Sequence, residues 1–141
     1  MVLAIVGLAV LVFFLFFKAS QDQGRKKIHG DIEGIKPTEI PKSELELLLD
    51  DALAKEDYRE AIRIYFIFTI RGLIKKDWIE WEKEKTNFSY LTEMRGNQYE
   101  TQFESCVSVY EIVWYGERDI SKEEFKILEP RFKNLVSNLE K

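Results

Sequence analysis

The stretch DYREAIRIYFIFTIRGLIKK, residues 57–76, contains the strongest structural signal in this sequence. Asp57 and Glu60 form a capping box, the pairing that begins many helices, and apolar residues follow at helical spacing. Others cover most of the remaining faces: Ile64, Ile67, Phe68, Ile70 and Ile74. The inner part, IYFIFTI, has the composition of a strand, but no turn signal interrupts the segment, and its length favours a helix. We therefore predict a central, buried helix over 57–76.

Helical patterns also lie on both sides of this segment. Upstream, Ser43 and Glu46 form another capping box. The apolar face of the helix behind that box consists of Leu45, Leu48, Leu49, Ala52 and Leu53. Downstream, Thr86 or Asn87 is expected to cap a short helix that ends at Gly96, because polar side chains begin helices and glycine ends them.

Two further helices complete the prediction. Apolar residues recur at helical spacing from Tyr99 onward, and Gly116 ends that helix. Ser121 with Glu124 begins the last helix, which Pro130 is expected to kink or split because proline lacks a backbone donor. The predicted fold class is all-α, a compact bundle of about five helices without a sheet, preceded by one transmembrane helix.

The first seventeen residues, MVLAIVGLAVLVFFLFF, carry no charged side chain and are a candidate membrane anchor. As a helix they would span roughly 25 Å, at the short end for a hydrocarbon core of about 30 Å. Basic residues follow this run closely: Lys18, Arg25, Lys26 and Lys27. This arrangement predicts a single-pass protein of the inner membrane with its soluble domain in the cytoplasm. The alternative, a cleavable signal peptide, would need a basic segment before the run and a small-residue cleavage site after it, and neither is present.

The predicted organisation is an anchor over 1–17, a basic juxtamembrane linker over 18–36 and a soluble helical domain over 37–141. The linker has five basic and three acidic residues, a net charge of +2, whereas the domain has sixteen basic and twenty-two acidic residues, a net charge of −6. Nucleic-acid binding requires a concentrated basic face, and none is visible after Lys27. The charge pattern therefore argues against a nucleic-acid partner.

Three segments carry a family resemblance: ALAKEDYREAIRIYF at 52–66, EKTNFSYL at 84–91 and VYEIVWYGERDIS at 109–121. They resemble a bacterial domain of unknown function found at the C-terminus of membrane-anchored proteins with a transglutaminase core. The motif residues are Asp57, Tyr58, Ala61, Lys85, Thr86, Asn87, Trp114, Tyr115 and Gly116. The chain is similar in particular to short members that lack the transglutaminase core and carry one span directly before a cytoplasmic helical domain.

The resemblance also implies a class of partner. Genes of such proteins tend to lie near those of MoxR-type AAA ATPases and von Willebrand A-type proteins, so the resemblance implies one of these as partner. Short members often begin with a signal peptide and an extracytoplasmic segment, which suggests the alternative that Met1 is not the natural start of this protein.

Few residues are suited to catalysis or metal binding. His29, the only histidine, lies in the linker, and Cys106, the only cysteine, occupies an apolar helical position with no histidine in the domain to activate it. Glu80, Glu82 and Glu84 alternate with lysines in an expected solvated loop, and this spacing offers too few converging oxygens for a hard cation. We therefore expect a buried structural thiol, no metal, no cofactor, no small-molecule substrate and no enzymatic activity.

The candidate partner-binding residues are aromatic or acidic and stand in a loop or at a helix end: Trp78, Trp81, Trp114, Tyr115 and Glu117. Aromatic side chains are frequent anchors at protein interfaces. For the WYG motif (residues 114–116), an aromatic helix end packed on the core is the favoured alternative. For the KTN motif (residues 85–87), a helix cap explains the polar residues Thr86 and Asn87 without any ligand.

Two function classes remain open after these observations. The first is a membrane-tethered, non-enzymatic helical module that binds another protein at the cytoplasmic face, in an envelope assembly linked to an ATPase. The second is an accessory or regulatory domain of a transglutaminase-like or protease-like enzyme system. An exposed apolar patch would favour the first class, and a deep pocket with converging polar groups would favour the second.

Overall fold

Residues 9–13, 15 and 34–141 are described by the computed structural model, in which the chain divides into two units, Met1–Ile35 and Lys36–Lys141. In the first unit, residues 9–13 and 15 are helical, and their side chains are exposed. Among the described residues, no helix combines the length and the apolar character that a membrane crossing requires.

Most of the predicted anchor and linker lies outside the described residues. Only 9–13 and 15 of the anchor and 34–36 of the linker are described. The other linker residues on which predictions rest also lie outside them: Lys18, Arg25, Lys26, Lys27 and His29. The anchor, its orientation and the linker therefore stay predictions.

The regular secondary structure of the second unit, within the described residues, is entirely helical. Its helices, after a short 3₁₀ turn at Pro37–Glu39, are α1 (Lys42–Ala54), α2 (Tyr58–Lys75), α3 (Asn87–Glu93), α4 (Glu100–Tyr110), a π-helix (Glu111–Tyr115) and α5 (Lys122–Leu139). No strand occurs among the residues described, so the all-α prediction is confirmed for that part of the chain.

Helix α2 lies at the centre of this unit, as predicted, and packs against α1, α4, α5 and the π-helix. Eleven of its residues are buried. Tyr58 stacks on Phe125 of α5 with ring centroids 4.7 Å apart, and Phe66 stacks on Tyr110 of α4 at 4.0 Å. Such pairs add to the free energy that burial of apolar area already provides. The IYFIFTI stretch is helical, and the helices packed around α2 cover its apolar side chains on several sides.

Three of the predicted helix starts are confirmed. The side chains of Asp57, Thr86 and Ser121 accept hydrogen bonds from backbone N–H groups three residues further on, at α2, α3 and α5. Each bond satisfies a donor that the first helical turn leaves unpaired.

Two local predictions differ from the structure. Helix α1 begins at Lys42 without a side-chain cap, because the Pro41 carbonyl accepts from the N–H of Glu44 at 3.0 Å, and Ser43 lies inside the first turn. Helix α5 runs through Pro130 without a break, so Pro130 does not split it, and the alternative of a kink stays a prediction. Pro130 is exposed, so water can bind the carbonyl that lacks a partner there.

Candidate functional site

The three motifs of the family resemblance, far apart in sequence, meet around the π-helix. Asn87 of the KTN motif donates its side-chain N–H to the Glu111 carboxylate at 2.9 Å. Arg59, which lies in the first motif (DYREA, residues 57–61), donates to the carbonyls of Val113 at 3.3 Å and Trp114 at 2.8 Å. The WYG motif forms the end of the π-helix itself. The structure thus assembles the motifs into one region.

The π-helix replaces the regular helix predicted up to Gly116. Its wider turn is marked by the Gly116 N–H, which donates to the Glu111 carbonyl, five residues back, at 3.2 Å. A Cβ atom at Gly116 would lie 2.3 Å from the carbonyl oxygen of Ile112, so only glycine fits there without a shift. The left-handed residue that closes the helix is Glu117, with φ of 48°. Single π-turns of this kind are frequent at functional sites.

Trp114 is held by two arginines of α2. The guanidinium carbon of Arg59 lies 4.3 Å from the indole centroid, and that of Arg63 lies 5.1 Å from it. Arg63 is buried and pairs with Glu60 at 3.1 Å. A cation over an indole ring is attracted by the negative face of the ring. Trp114 therefore fastens the π-helix to α2, which agrees with the favoured prediction for this residue.

Three large apolar side chains stand exposed beside these contacts. Phe88 is 70% exposed, Ile112 is 57% exposed and Tyr115 is 67% exposed. Phe88 follows Asn87 and Ile112 follows Glu111, the two residues whose side chains are hydrogen-bonded to each other. We call these three side chains, with the exposed carboxylates of Glu111 and Glu117, the π-helix surface.

Tyr115 has a defined neighbour although it is exposed. Its ring meets the ring of Tyr110 edge to face at 5.7 Å. Burial raises the pKa of Tyr110, so this phenol stays neutral at physiological pH. Trp114 is therefore packed against the domain, as the favoured prediction for the WYG motif has it, whereas Tyr115 exposes most of its ring to solvent.

The first two KTN residues have structural contacts of their own. The Lys85 ammonium donates to the Glu93 carboxylate at 2.9 Å and to the Glu80 carbonyl at 2.6 Å, and the bond to Glu93 raises the pKa of Lys85. Thr86 caps α3. Together with the bond between Asn87 and Glu111, these contacts account for all three motif residues without a ligand.

Trp78 lies beside the start of α4, at the other end of that helix from the π-helix, and Trp81 follows it in the loop before α3. Both are half-buried, and Trp78 tilts against Tyr99 at 5.7 Å, just before α4 begins. Tyr115 lies beyond the far end of α4, whose eleven residues span roughly 16 Å at about 1.5 Å per residue. The structure therefore joins Trp114, Tyr115 and Glu117 and leaves Trp78 at the opposite end.

Cys106 is buried, as predicted. Its thiol donates to the Arg131 carbonyl at 3.6 Å, and burial raises its pKa to about 12. A thiolate, the reactive form, is therefore scarce at neutral pH. Among the residues described, no three histidine, cysteine or acidic side chains are grouped so that they could hold a metal ion.

Sequence reasoning missed two arginines that hold the π-helix, Arg59 and Arg63, and three residues of the π-helix surface, Phe88, Glu111 and Ile112. One signal was available for the arginines. Arg59 and Arg63 are four residues apart in a helix predicted to be buried on nearly all sides, and a buried charge requires partners. Nothing local marked Phe88 or Ile112, because exposure depends on which neighbours the fold supplies.

Comparisons of the chain with models of protein families, with curated proteins and with solved structures gave no match.

Proposed function

We propose that this chain is a membrane-tethered, non-enzymatic helical module that binds another protein at the cytoplasmic face of the inner membrane. The π-helix surface carries this proposal. Three large apolar side chains are more than half exposed there, on backbone that polar contacts hold in place. Exposed apolar groups on a preorganised backbone bind a partner with little loss of conformational entropy.

The family resemblance and the acidic charge of the domain both indicate the class of partner. The resemblance implies a MoxR-type AAA ATPase or a von Willebrand A-type protein. Glu111 and Glu117 on the π-helix surface, and the net charge of −6 over 37–141, favour a partner with a basic rim around an apolar pocket. The same charge disfavours nucleic acid.

The tether is the predicted anchor over 1–17. The residues of that run which the structure describes, 9–13 and 15, are helical and apolar, and their side chains are exposed. Lipid would cover such a helix if it lies in a bilayer. We expect a reporter fused after Lys141 to be active only if it is of a type that functions in the cytoplasm. Activity confined to a reporter that functions outside the cytoplasm would refute the proposed orientation.

Partner binding is tested by affinity capture of the full chain from native membranes. We expect capture of a MoxR-type ATPase or a von Willebrand A-type protein, and loss of that capture with Tyr115→Ala. An aromatic anchor contributes about 2 kcal/mol or more to binding, which corresponds to roughly thirtyfold in affinity.

Leu47→Ala is the matched control, because Leu47 is 69% exposed on α1, a helix outside the π-helix surface. This variant should capture the partner as the unmodified chain does. Equal loss in the Tyr115 and Leu47 variants would refute the site. Capture of a transglutaminase-like or protease-like enzyme instead would favour the accessory-domain alternative.

A further inference from the structure

A second surface, which shares no residue with the π-helix surface, is an open groove where the end of α1 faces α5. It encloses about 600 Å³, within the usual range for ligand sites. Its apolar part includes Leu53 of α1 and the stacked rings of Tyr58 and Phe125, whose centroids are 4.7 Å apart. Such a floor can accept one large apolar side chain.

The charge of this groove is opposite to that of the domain. Four lysines and two glutamates line it, a net charge of +2, although residues 37–141 carry −6. Two of the lysines, Lys55 and Lys133, have acidic neighbours within 2.9 Å and 3.6 Å. The second of these neighbours, Glu129, also accepts a hydrogen bond from Tyr65 at 2.8 Å.

The other two lysines of the groove, Lys122 and Lys126, are available to a ligand. They are four residues apart and therefore share a face of α5, and both are exposed. Within the described part of the chain, neither has an ion-pair partner. Two uncompensated cations thus flank the apolar floor.

We propose that this groove binds an acidic peptide segment of a partner protein, with one large apolar side chain on the floor and carboxylates at Lys122 and Lys126. The apolar floor disfavours a small inorganic anion as the principal ligand, and the acidic surroundings repel the extended phosphate backbone of a nucleic acid. This site shares no residue with the π-helix surface, so we propose that the two surfaces engage separate partner segments.

The test uses the full chain in nanodiscs of zwitterionic lipid and a short fluorescent peptide of glutamates around one phenylalanine. We expect saturable binding by fluorescence anisotropy that weakens as salt is added. The double variant Lys122→Glu/Lys126→Glu should weaken it at least about tenfold, a difference of about 1.4 kcal/mol. Replacing the phenylalanine of the peptide with alanine should also weaken binding, because the floor would lose its ligand.

The matched control is Lys75→Glu/Lys76→Glu, which makes the same charge change at two exposed lysines outside the groove. It should bind the peptide within about twofold of the unmodified chain. Equal loss in both double variants would show unspecific charge attraction and overturn the proposal. Absence of saturable binding would also overturn the proposal. So would a competition experiment in which soluble short-chain phosphatidylglycerol displaces the labelled peptide at lower concentrations than unlabelled peptide does, because the groove would then be a lipid contact.

Discussion

The core around α2 and the π-helix surface are held by different interactions. In the core, apolar side chains are buried on several sides, and aromatic rings such as Phe66 and Tyr110 stack at 4.0 Å. At the π-helix surface, Arg59 donates to a backbone carbonyl and Asn87 donates to the Glu111 carboxylate, while the apolar side chains are exposed to solvent. The contrast implies that stability depends mainly on the first region and binding on the second.

The largest expected effect is in the core. Phe66 is 6% exposed between Phe103 and Tyr110, so Phe66→Ala removes its contacts and leaves a cavity. We expect the free energy of unfolding to fall by about 3–5 kcal/mol. Urea denaturation of the full chain, followed by tryptophan fluorescence, measures this loss. Phe88→Ala, the same change at an exposed phenylalanine, should cost less than about 0.5 kcal/mol. A loss below about 1 kcal/mol for Phe66→Ala would show that α2 is peripheral.

A smaller effect is expected where the two regions join. Arg59→Ala leaves the carbonyls of Val113 and Trp114 without their charged donor and should lower the free energy of unfolding by about 2 kcal/mol. Hydrogen exchange should accelerate first at the amides of Gly116 and Arg118, which close the π-helix. Arg118→Ala is the control, because its ion pair with Glu124 is exposed and contributes little. Uniform acceleration across α2 would contradict a local role for Arg59.

The last pair of changes distinguishes two neighbouring residues at the end of the π-helix. Gly116→Ala should lower the free energy of unfolding by about 1–3 kcal/mol, because its Cβ would overlap the Ile112 carbonyl. Glu117→Gly should raise it by about 0.5–1 kcal/mol, because glycine tolerates the positive φ of that position. Thermal unfolding of the two variants measures both changes. A Gly116→Ala variant as stable as the unmodified chain would show that the turn does not require glycine at 116, and a destabilised Glu117→Gly variant would show that the positive φ of Glu117 is not strained.

Sequence patterns were sufficient where the interactions are local. The centre of the bundle follows from the apolar periodicity of 57–76, and the starts of α2, α3 and α5 follow from Asp57, Thr86 and Ser121, whose partners lie three residues away. Local signals failed where two competed, since Pro41 starts α1 before Ser43 can cap it. At Pro130 the predicted split does not occur, because the exposed position lets water bind the carbonyl that proline leaves without a donor.

The composition and periodicity of the chain were enough to predict an all-helical domain built around one buried helix. The π-helix, the convergence of the three motifs and the lysine groove required the tertiary structure. Arg59 contacts carbonyls 54 and 55 residues away, and the bond between Asn87 and Glu111 joins positions 24 residues apart. Caps and periodicity involve atoms within about one helical turn, whereas contacts over such separations depend on how whole helices pack against each other.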